Sequence, residues 1–319
     1  MDGISVIIVS YNTKDILAGC LDSILGILDR GRNEIIVVDN NSTDGSAEML
    51  REKYPMVRTV FNEDNYGFGR ANNQGMRAAK GDLFLLLNSD TAASPGAIEK
   101  CVKYMTANAG TGVLGCRLET PDGGLQLSCG RFFTLWHTVF GGIEANKIIK
   151  KIGLSGISNF EHLLTAGEHR IARSVDWVAG AFMLLRREVF ERTGGFDEKI
   201  FLYGEELEWC YRIKKAGWSV VYYPEARITH IGKASGASLS PIARNMKVLS
   251  GKHYFLKIHH GGCVAFLHKN LVLLFGLVKL PIWAAIYLAS GLNGYYRNKA
   301  MFQASGIIWY FSRKQAGVG

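Results

Sequence analysis

Apolar residues form a short continuous run near the start of the chain and then recur at helical spacing. Residues 4–9 are apolar and rich in β-branched side chains, as in a buried strand. The next large apolar residues are Ile16, Leu17, Leu21, Ile24 and Leu25. This spacing places them on one face of a helix, so the pattern predicts a strand followed by a helix.

The same unit recurs through the first third of the chain. Further strands are predicted at residues 34–38, 57–61 and 83–87, and further helices at 46–53 and 69–79. Alternating strands and helices form a mostly parallel sheet flanked by helices. We therefore predict an α/β fold with a Rossmann-like nucleotide-binding half. Ligands of such sheets bind beyond the carboxyl ends of the strands.

The second half of the chain is less regular. After an apolar stretch at residues 112–116 the pattern weakens, and residues 131–173 give no clear assignment. Regular structure is predicted again at 175–185, followed by a helix to Arg192, a helix at about 204–215, and strands near Val220 and Ile228. We predict one domain at 1–240, with a nucleotide-binding half at about 1–116 and a second half at 117–240. Residues 241–319 are predicted to be a helical, basic and apolar region.

The composition is that of a globular protein. Hydrophobic residues make up 48% of the 319 and charged residues 20%, which excludes a disordered chain. The six cysteines are scattered and form no CxxC pair, which argues against a zinc site or a disulfide framework. The N-terminal segment has no signal-peptide pattern. We expect a cytoplasmic protein.

Two polar segments follow predicted strands. Residues 39–46 begin with Asp39, a carboxylate that can accept hydrogen bonds from a base or ribose, although an Asx-rich turn with a helix cap is an equal alternative. Residues 65–75 place glycines, an arginine and amides at a helix start, where free N–H groups and the helix dipole favour a diphosphate. This segment lacks the third glycine of a dinucleotide fingerprint and follows the third strand, so a dehydrogenase is a poor interpretation.

Two further residues are candidate metal ligands. Asp90 follows the strand at 83–87, and such a carboxylate suits Mg²⁺ or Mn²⁺, with substrate phosphate and water completing the shell. The alternative is a turn aspartate. His230 ends a predicted strand before the segment Gly232-Lys233-Ala234-Ser235-Gly236, where the imidazole can join a metal shell and the glycines and lysine can approach phosphate. A buried, hydrogen-bonded histidine is the alternative.

Three glutamates stand in the first turns of the helix predicted at 204–215. Glu205, Glu206 and Glu208 are favoured there by the helix dipole alone, without any catalytic role. Neighbouring helical side chains point about 100° apart, so Glu205 and Glu206 cannot face one substrate equally. We predict that one is a base and that the other faces a structural partner such as Arg212.

These motifs, in this order, resemble family 2 of the glycosyltransferases, which has the GT-A fold. The resemblance runs from Ser5 to about Gly236 and includes Ser10-Tyr11-Asn12 and the block from Val37 to Ser46. Four segments resemble its rhamnosyltransferase-like branch: residues 65–75, residues 86–91 with Leu86, Asn88, Ser89, Asp90 and Thr91, residues 177–182, and Gly194-Gly195-Phe196-Asp197-Glu198. Two residues depart from the family pattern. Asn88 replaces the first aspartate of Asp-x-Asp, and Glu205-Glu206 replaces Glu-Asp.

The resemblance implies a role for each site residue. Tyr11 and Asp39 would hold the base and ribose, Asp90 and His230 the metal and diphosphate, and Glu205 or Glu206 would supply the base. The full set implied for the nucleotide-sugar is Ser10, Tyr11, Asn12, Asp39, Asn41, Asn65, Gly67, Arg70, Asn73, Asn88, Ser89 and Asp90. Trp177, Gly180 and Glu205 are implied for the acceptor or donor sugar, which makes residues 117–240 the acceptor half.

The resemblance also implies the reaction. Glu206 would take the proton of an acceptor hydroxyl as it attacks the anomeric carbon, while Mg²⁺ or Mn²⁺ offsets charge on the departing nucleoside diphosphate. Single displacement inverts that carbon. We expect rhamnose from dTDP-rhamnose and a glycan or lipid-linked acceptor. The alternatives are a UDP-hexose donor, or a nucleotide-sugar-binding protein without activity.

The C-terminal region carries a long apolar segment with basic flanks. Residues 271–289 are nearly long enough to span a bilayer. Their apolar residues favour insertion by roughly 5 kcal/mol, whereas Lys279 costs about 3 and Pro281 more, so insertion is marginal. An interfacial helix at the inner face of the membrane is as plausible, and a homodimer contact or a core helix is the other alternative. The net charge of +9 concentrates near this segment, and no nucleic-acid-binding module is present, so we expect anionic lipid and no nucleic acid as partner.

Overall fold

The computed structural model describes residues 3–29, 31–143, 162–232 and 239–312. The chain divides into two compact units. Unit 1 comprises residues 1–132, 163–201 and 205–235, and unit 2 comprises residues 133–162, 202–204 and 236–319.

Unit 1 is an α/β unit with a mixed sheet. Its described strands are β1 (Ile4–Ser10), β2 (Glu34–Asp39), β3 (Arg58–Phe61), β4 (Leu83–Asn88), β5 (Thr91–Ala93), β6 (Thr111–Glu119), β7 (Leu125–Gln126), β8 (Cys129–Gly130), β9 (Arg173–Val175), β10 (Trp177–Val178), β11 (Phe182–Arg186) and β12 (Ser219–His230). Its described helices are α1 (Lys14–Leu25), α2 (Ser46–Lys53), α3 (Phe68–Ala78), α4 (Ala97–Ala107), α6 (Arg187–Thr193) and α7 (Glu205–Lys215). Unit 2 is helical, with α5 (Leu135–Gly142), α8 (Pro241–His260), α9 (Gly262–Ala289) and α10 (Gly294–Phe311).

The main sheet has the strand order β3-β2-β1-β4-β11-β6-β12-β5. Strands β3, β2, β1 and β4 run parallel, which confirms the prediction for the first half of the chain. Val6, Ile7 and Ile8 of β1 are fully buried, because helices cover both faces of the sheet and each side chain of the strand meets apolar neighbours. Strand β11 runs antiparallel to both of its neighbours.

The second half differs from the pattern in two places. The predicted ordered stretch at 175–185 is divided among β9, β10 and β11, and β10 pairs with β8 in a separate two-stranded sheet. The strands predicted near Val220 and Ile228 are one strand, β12, whose pairing with β6 shifts register between Tyr223 and Arg227. A bulge adds residues to one strand without ending it. The alternation of apolar and polar residues is therefore interrupted in the sequence, although the strand continues.

The far end of β12 positions the candidate site. Strand β5 pairs with β12 in antiparallel fashion, so that Thr91 lies opposite His230. The Ile231 N–H donates to the Asp90 carbonyl over 2.9 Å. This pairing brings Asp90 and His230 together, although they are far apart in the sequence.

Helix α9 contains the apolar segment predicted for the membrane. By length and composition it is able to cross a membrane, and only 6% of its most apolar window is buried. Leu274, Leu277 and Ile282 are each more than half exposed. The core-helix alternative is therefore wrong for this segment.

Candidate active site

A polar cluster lies where β4 and β12 end. Asp90, which is 2% exposed, places its Oδ1 atom 3.2 Å from Nε2 of His230. The amide nitrogen of Asn88 is 3.5 Å from the same Nε2 atom. The structure thus brings together the predicted ligands Asp90 and His230, with the predicted nucleotide-sugar residue Asn88 beside them.

Gln126 on β7 holds the imidazole of His230 and was not expected from the sequence. Its Oε1 atom is 2.7 Å from Nδ1 of His230, and its Nε2–H donates to the His230 carbonyl over 2.6 Å. Because an amide oxygen only accepts, Nδ1 carries the proton, and a neutral His230 has its lone pair on Nε2. That lone pair lies on the Asp90 side. A glutamine on a two-residue strand gives no sequence signal for this role.

The cluster fits a divalent cation. It offers the Asp90 carboxylate and the Nε2 lone pair of His230 within 3.2 Å of each other, and the buried Oδ1 atom of Asn88 has no hydrogen-bond partner in the described chain. Oxygen ligands suit both Mg²⁺ and Mn²⁺, and an imidazole is a better ligand for Mn²⁺ than for the harder Mg²⁺. Within the described ranges no group of three or more His, Cys, Asp and Glu side chains is placed to hold a metal. A cation here would thus take further ligands from a substrate, as Mg²⁺ commonly does.

The loops after β1 and β2 are tied together by side chains predicted to hold the nucleotide. Both carboxylate oxygens of Asp39 accept hydrogen bonds from Ser42, over 2.9 Å from its N–H and 2.7 Å from its hydroxyl. Oδ1 of Asn12 accepts from the Thr43 N–H over 2.7 Å. Asn12 and Asn41 both have positive φ angles, of 53° and 65°. Asp39 and Asn12 therefore fix the shape of this loop pair. The Asx-rich turn of the alternative is present in the structure, but its helix cap is not, because Gly45 is at the N-cap of α2 and no side chain caps that helix.

The remaining residues of the first motif divide into buried and exposed ones. Ser10 and Ser89 are buried, and the hydroxyl of Thr13 lies 3.0 Å from that of Ser10 and 3.3 Å from that of Ser89. This hydroxyl chain links the ends of β1 and β4 from within. Tyr11 is 43% exposed and Asn41 is also exposed, so both have surface available to a ligand.

The start of α3 does not offer all the free N–H groups that the sequence led us to expect. The Gly67 N–H donates to Oδ1 of Asn65 over 3.0 Å, and the Phe68 N–H donates to the Phe201 carbonyl over 3.2 Å. Gly67 has a φ of 80°, and a Cβ atom there would lie 2.5 Å from the same carbonyl. Glycine is therefore required at position 67 because the Phe201 carbonyl leaves no room for a side chain. The predicted diphosphate cradle is therefore wrong for these two N–H groups.

Two other residues of this segment bind the protein itself. Asn73 is 1% exposed, and its amide donates to the Phe196 carbonyl and accepts from the Phe196 N–H, each over 2.9 Å. Its predicted contact with the nucleotide-sugar is corrected to a contact with this loop. The Arg70 guanidinium stacks 4.0 Å from the Tyr66 ring centroid and lies 3.8 Å from Glu198 at the surface.

The residues predicted to contact sugars are packed closely in unit 1. Trp177 is 8% exposed, and its indole N–H donates to the Arg131 carbonyl over 3.0 Å. Gly180 is buried, and a Cβ atom there would lie 3.0 Å from the Phe68 ring. Trp177 thus supports the neighbouring backbone, and Gly180 leaves room for the Phe68 ring.

Helix α7 begins with the predicted acidic pair. Glu205 is 3% exposed, whereas Glu206 is partly exposed. The expected partner of Arg212 is corrected: Arg212 pairs with the buried Glu208 over 2.7 Å and also donates to the Thr193 and Gly195 carbonyls. Glu208 thus anchors α7, whose first turn also carries Glu205 and Glu206. Lys233, Ala234, Ser235 and Gly236, the phosphate-approaching segment predicted after His230, lie outside the described residues.

A mixed α/β sheet that brings a carboxylate and an imidazole together at its strand ends fits a nucleotide-sugar transferase of GT-A type. The family model described as glycosyl transferase family 2 matches residues 5–194. The chain belongs to this family.

Curated relatives and solved structures agree with this family. The chain is 28% identical over 274 residues to the N-acetylglucosaminyl-diphospho-decaprenol L-rhamnosyltransferase of Mycobacterium tuberculosis. The aligned region covers 82% of this chain and 86% of that protein. It is 27% identical to the rhamnosyltransferase WbbL of Escherichia coli, over 70% of this chain and 82% of that protein. The mannosyltransferase PcManGT of Pyrobaculum calidifontis, solved with GDP-Man and Mn²⁺, has a TM-score of 0.61 at 20% identity and covers 96% of this chain and 85% of that one. This last similarity shows the GT-A fold.

Proposed function

We propose that this protein is a metal-dependent, inverting rhamnosyltransferase that transfers rhamnose from dTDP-rhamnose to a glycan or lipid-linked acceptor. The observation that carries this proposal is the Asp90–His230 cluster at the strand ends, 3.2 Å apart and held by Gln126. The rhamnosyltransferase relatives, one of which is named for a diphospho-decaprenol substrate, support rhamnose as the transferred sugar and a lipid-linked acceptor.

Asp90 and His230 would hold Mg²⁺ or Mn²⁺, which offsets the negative charge of a departing nucleoside diphosphate. Glu206 takes the proton of the acceptor hydroxyl while that oxygen bonds to the anomeric carbon. The bond from this carbon to the diphosphate oxygen breaks in the same displacement, which inverts the carbon. The partial exposure of Glu206, against the burial of Glu205, favours Glu206 as the group that meets an acceptor.

The setting of this reaction is the inner face of the cell membrane. The exposed apolar side of α9 favours peripheral attachment there, next to a lipid-linked acceptor. A cytoplasmic location also fits the six free cysteines.

A donor panel tests the proposal. Detergent-solubilised protein is given dTDP-rhamnose, dTDP-glucose, UDP-glucose or UDP-N-acetylglucosamine, with a short-chain lipid-diphosphate-linked N-acetylglucosamine as acceptor. Nucleoside diphosphate release and the product are then measured with Mn²⁺ and with chelator. We expect metal-dependent transfer from dTDP-rhamnose. Transfer from a UDP-sugar alone contradicts the donor, and binding without transfer of any sugar indicates a non-catalytic nucleotide-sugar-binding protein.

Two isosteric variants test the base. Glu206→Gln keeps the side-chain shape and removes the proton acceptor, so kcat is expected to fall by about 100-fold or more while the Kd for dTDP-rhamnose stays within twofold. Glu205→Gln is the matched variant one position away. Loss of kcat in Glu205→Gln with activity retained in Glu206→Gln would move the base to Glu205.

A further inference from the structure

Unit 2 contains a cluster of basic side chains around the Phe133 ring. The ammonium group of Lys252 lies 4.7 Å from the ring centroid, and the imidazoles of His162 and His268 lie 5.8 and 5.7 Å from it. His253 follows Lys252 on α8, and its ring is 5.9 Å from that of His268. All five residues belong to the same unit, so their arrangement is set within that unit.

Two imidazole nitrogens of this cluster are buried without a hydrogen-bond partner among the described residues. One is Nδ1 of His268, a residue that is 1% exposed. The other is Nδ1 of His253. Buried polar atoms are rarely left in this state, because each unmade hydrogen bond costs about 1–3 kcal/mol.

The charge of Lys252 is a second feature of the cluster. In the described part of the chain no acidic side chain forms an ion pair with Lys252, whose close contact is the Phe133 ring. Burial lowers the pKa of Lys252 to about 8. Burial also lowers the pKa of His162 to about 3, and the positive charge of Lys252 adds to this effect. A bound anion would stabilise the charged lysine and supply acceptors to imidazole N–H groups.

We propose that Lys252, His253 and His268 bind the phosphate groups of a lipid-linked diphosphate. This inference rests on the proposed function, because such a diphosphate is the anionic part of the lipid-linked acceptor. The position of the cluster on α8 and α9 supports a lipid ligand, since α9 is the most apolar long helix of the described chain and is largely exposed. An isoprenoid tail on the same molecule would thus find apolar surface on the same helix. A free diphosphate has the same charged groups but no apolar tail that could contact the apolar surface of α9.

Binding of farnesyl diphosphate to the solubilised full-length protein tests this site. Affinity is measured by calorimetry for farnesyl diphosphate, inorganic diphosphate and farnesol. We expect farnesyl diphosphate to bind at least tenfold more tightly than either of the others. Equal affinity for inorganic diphosphate would overturn the assignment to a lipid ligand, and absence of farnesyl diphosphate binding would overturn the site.

Variants assign the binding to these residues. Lys252→Gln and His268→Gln are expected to weaken farnesyl diphosphate binding at least tenfold, and Lys252→Arg is expected to restore most of it. Lys53→Gln is the matched control, because this lysine also lies over an aromatic ring, that of Tyr54, but belongs to unit 1. Unchanged affinity in both Lys252→Gln and His268→Gln would overturn the proposal.

Two further readouts distinguish a ligand-binding role of these residues from a structural one. The melting temperature of each variant is measured with and without farnesyl diphosphate. A purely structural role lowers the ligand-free value and leaves the ligand-induced increase intact, which would overturn the proposal. Binding of dTDP-rhamnose is measured on the same samples. We expect it to be unchanged in the Lys252 variants, so failure of the diphosphate site and failure of the proposed transferase give different results.

Discussion

At the scale of single residues, the orientation of His230 depends on one neighbour. Both polar atoms of the Gln126 amide are used on His230, one on the ring and one on its carbonyl. Partners of this kind fix the tautomer of a ligating imidazole, and removing them commonly weakens metal binding by about 10–100-fold. We therefore expect Gln126→Leu to raise the Kd for Mn²⁺ by about tenfold, measured from the signal of free Mn²⁺ in electron paramagnetic resonance.

The conservative variant Gln126→Glu is the control for that experiment. Its carboxylate still accepts from Nδ1 of His230, so Mn²⁺ affinity should stay closer to wild type than in Gln126→Leu. An affinity for Mn²⁺ in Gln126→Leu equal to that of the wild type would show that His230 needs no support from Gln126, or that it does not bind the cation.

Residue types predicted which strand ends carry polar side chains better than they predicted each contact. Asp90 and His230 could be found from the sequence because each ends or follows a strand, and strand ends meet at one edge of a sheet. Asn73 and Gly67 stand in an equally suggestive segment, yet their contacts are with Phe196 and Phe201. Amides and glycines serve backbone packing and ligand binding alike, and the difference lies in long-range contacts that a local motif does not contain.

At the scale of elements, helix α3 packs closely on the first strand. A Cβ atom at Gly75 would collide with Cγ2 of Ile7, which is fully buried in β1. We expect Gly75→Ala to destabilise the protein by about 1–3 kcal/mol, because an overpacked core must shift a strand or a helix. The free energy of unfolding is measured by urea denaturation.

Gly19 in α1 is the matched helical glycine for this test. A Cβ atom at Gly19 meets nothing within 4 Å, and the residue is exposed. Gly19→Ala should therefore stabilise the protein by up to about 1 kcal/mol, through helix propensity alone. Equal effects of the two alanines on the free energy of unfolding would contradict the close packing of α3 on β1.

Strands and helices could be predicted from the sequence where the strands are buried on both faces and the helices are amphipathic. β1, β2 and β4 are apolar runs with polar ends, and their predicted bounds agree with the structure to within one residue. The hydrophobic pattern did not predict the later strands correctly, for a physical reason. β8 and β10 have two residues each, too few to show a period, and the register shift in β12 interrupts its alternation.

At the scale of the whole molecule, charge and apolar surface occur in the same region of the sequence. The net charge is +9, and Lys247, Lys252, Lys257, Lys269, Arg297 and Lys299 flank the apolar part of α9. Basic residues near an anionic surface each contribute about 1 kcal/mol, and this attraction weakens as salt shortens the Debye length below about 10 Å. Peripheral binding by α9 should therefore depend both on anionic lipid and on exposed apolar side chains, whereas a spanning helix should depend on neither salt nor surface charge.

Vesicle flotation separates these modes. Full-length protein is expected to float with vesicles containing phosphatidylglycerol, to float less with phosphatidylcholine alone, and to be released by about 0.5 M NaCl or by alkaline carbonate. The triple variant Leu274→Ser/Leu277→Ser/Ile282→Ser should reduce flotation, because these side chains are more than half exposed on α9. Met56→Ser, at a residue with similar exposure in unit 1, should not reduce flotation.

Resistance to carbonate would instead mean that α9 spans the bilayer. Absence of flotation together with a dimeric mass in light scattering would mean that this apolar surface joins two copies of the chain.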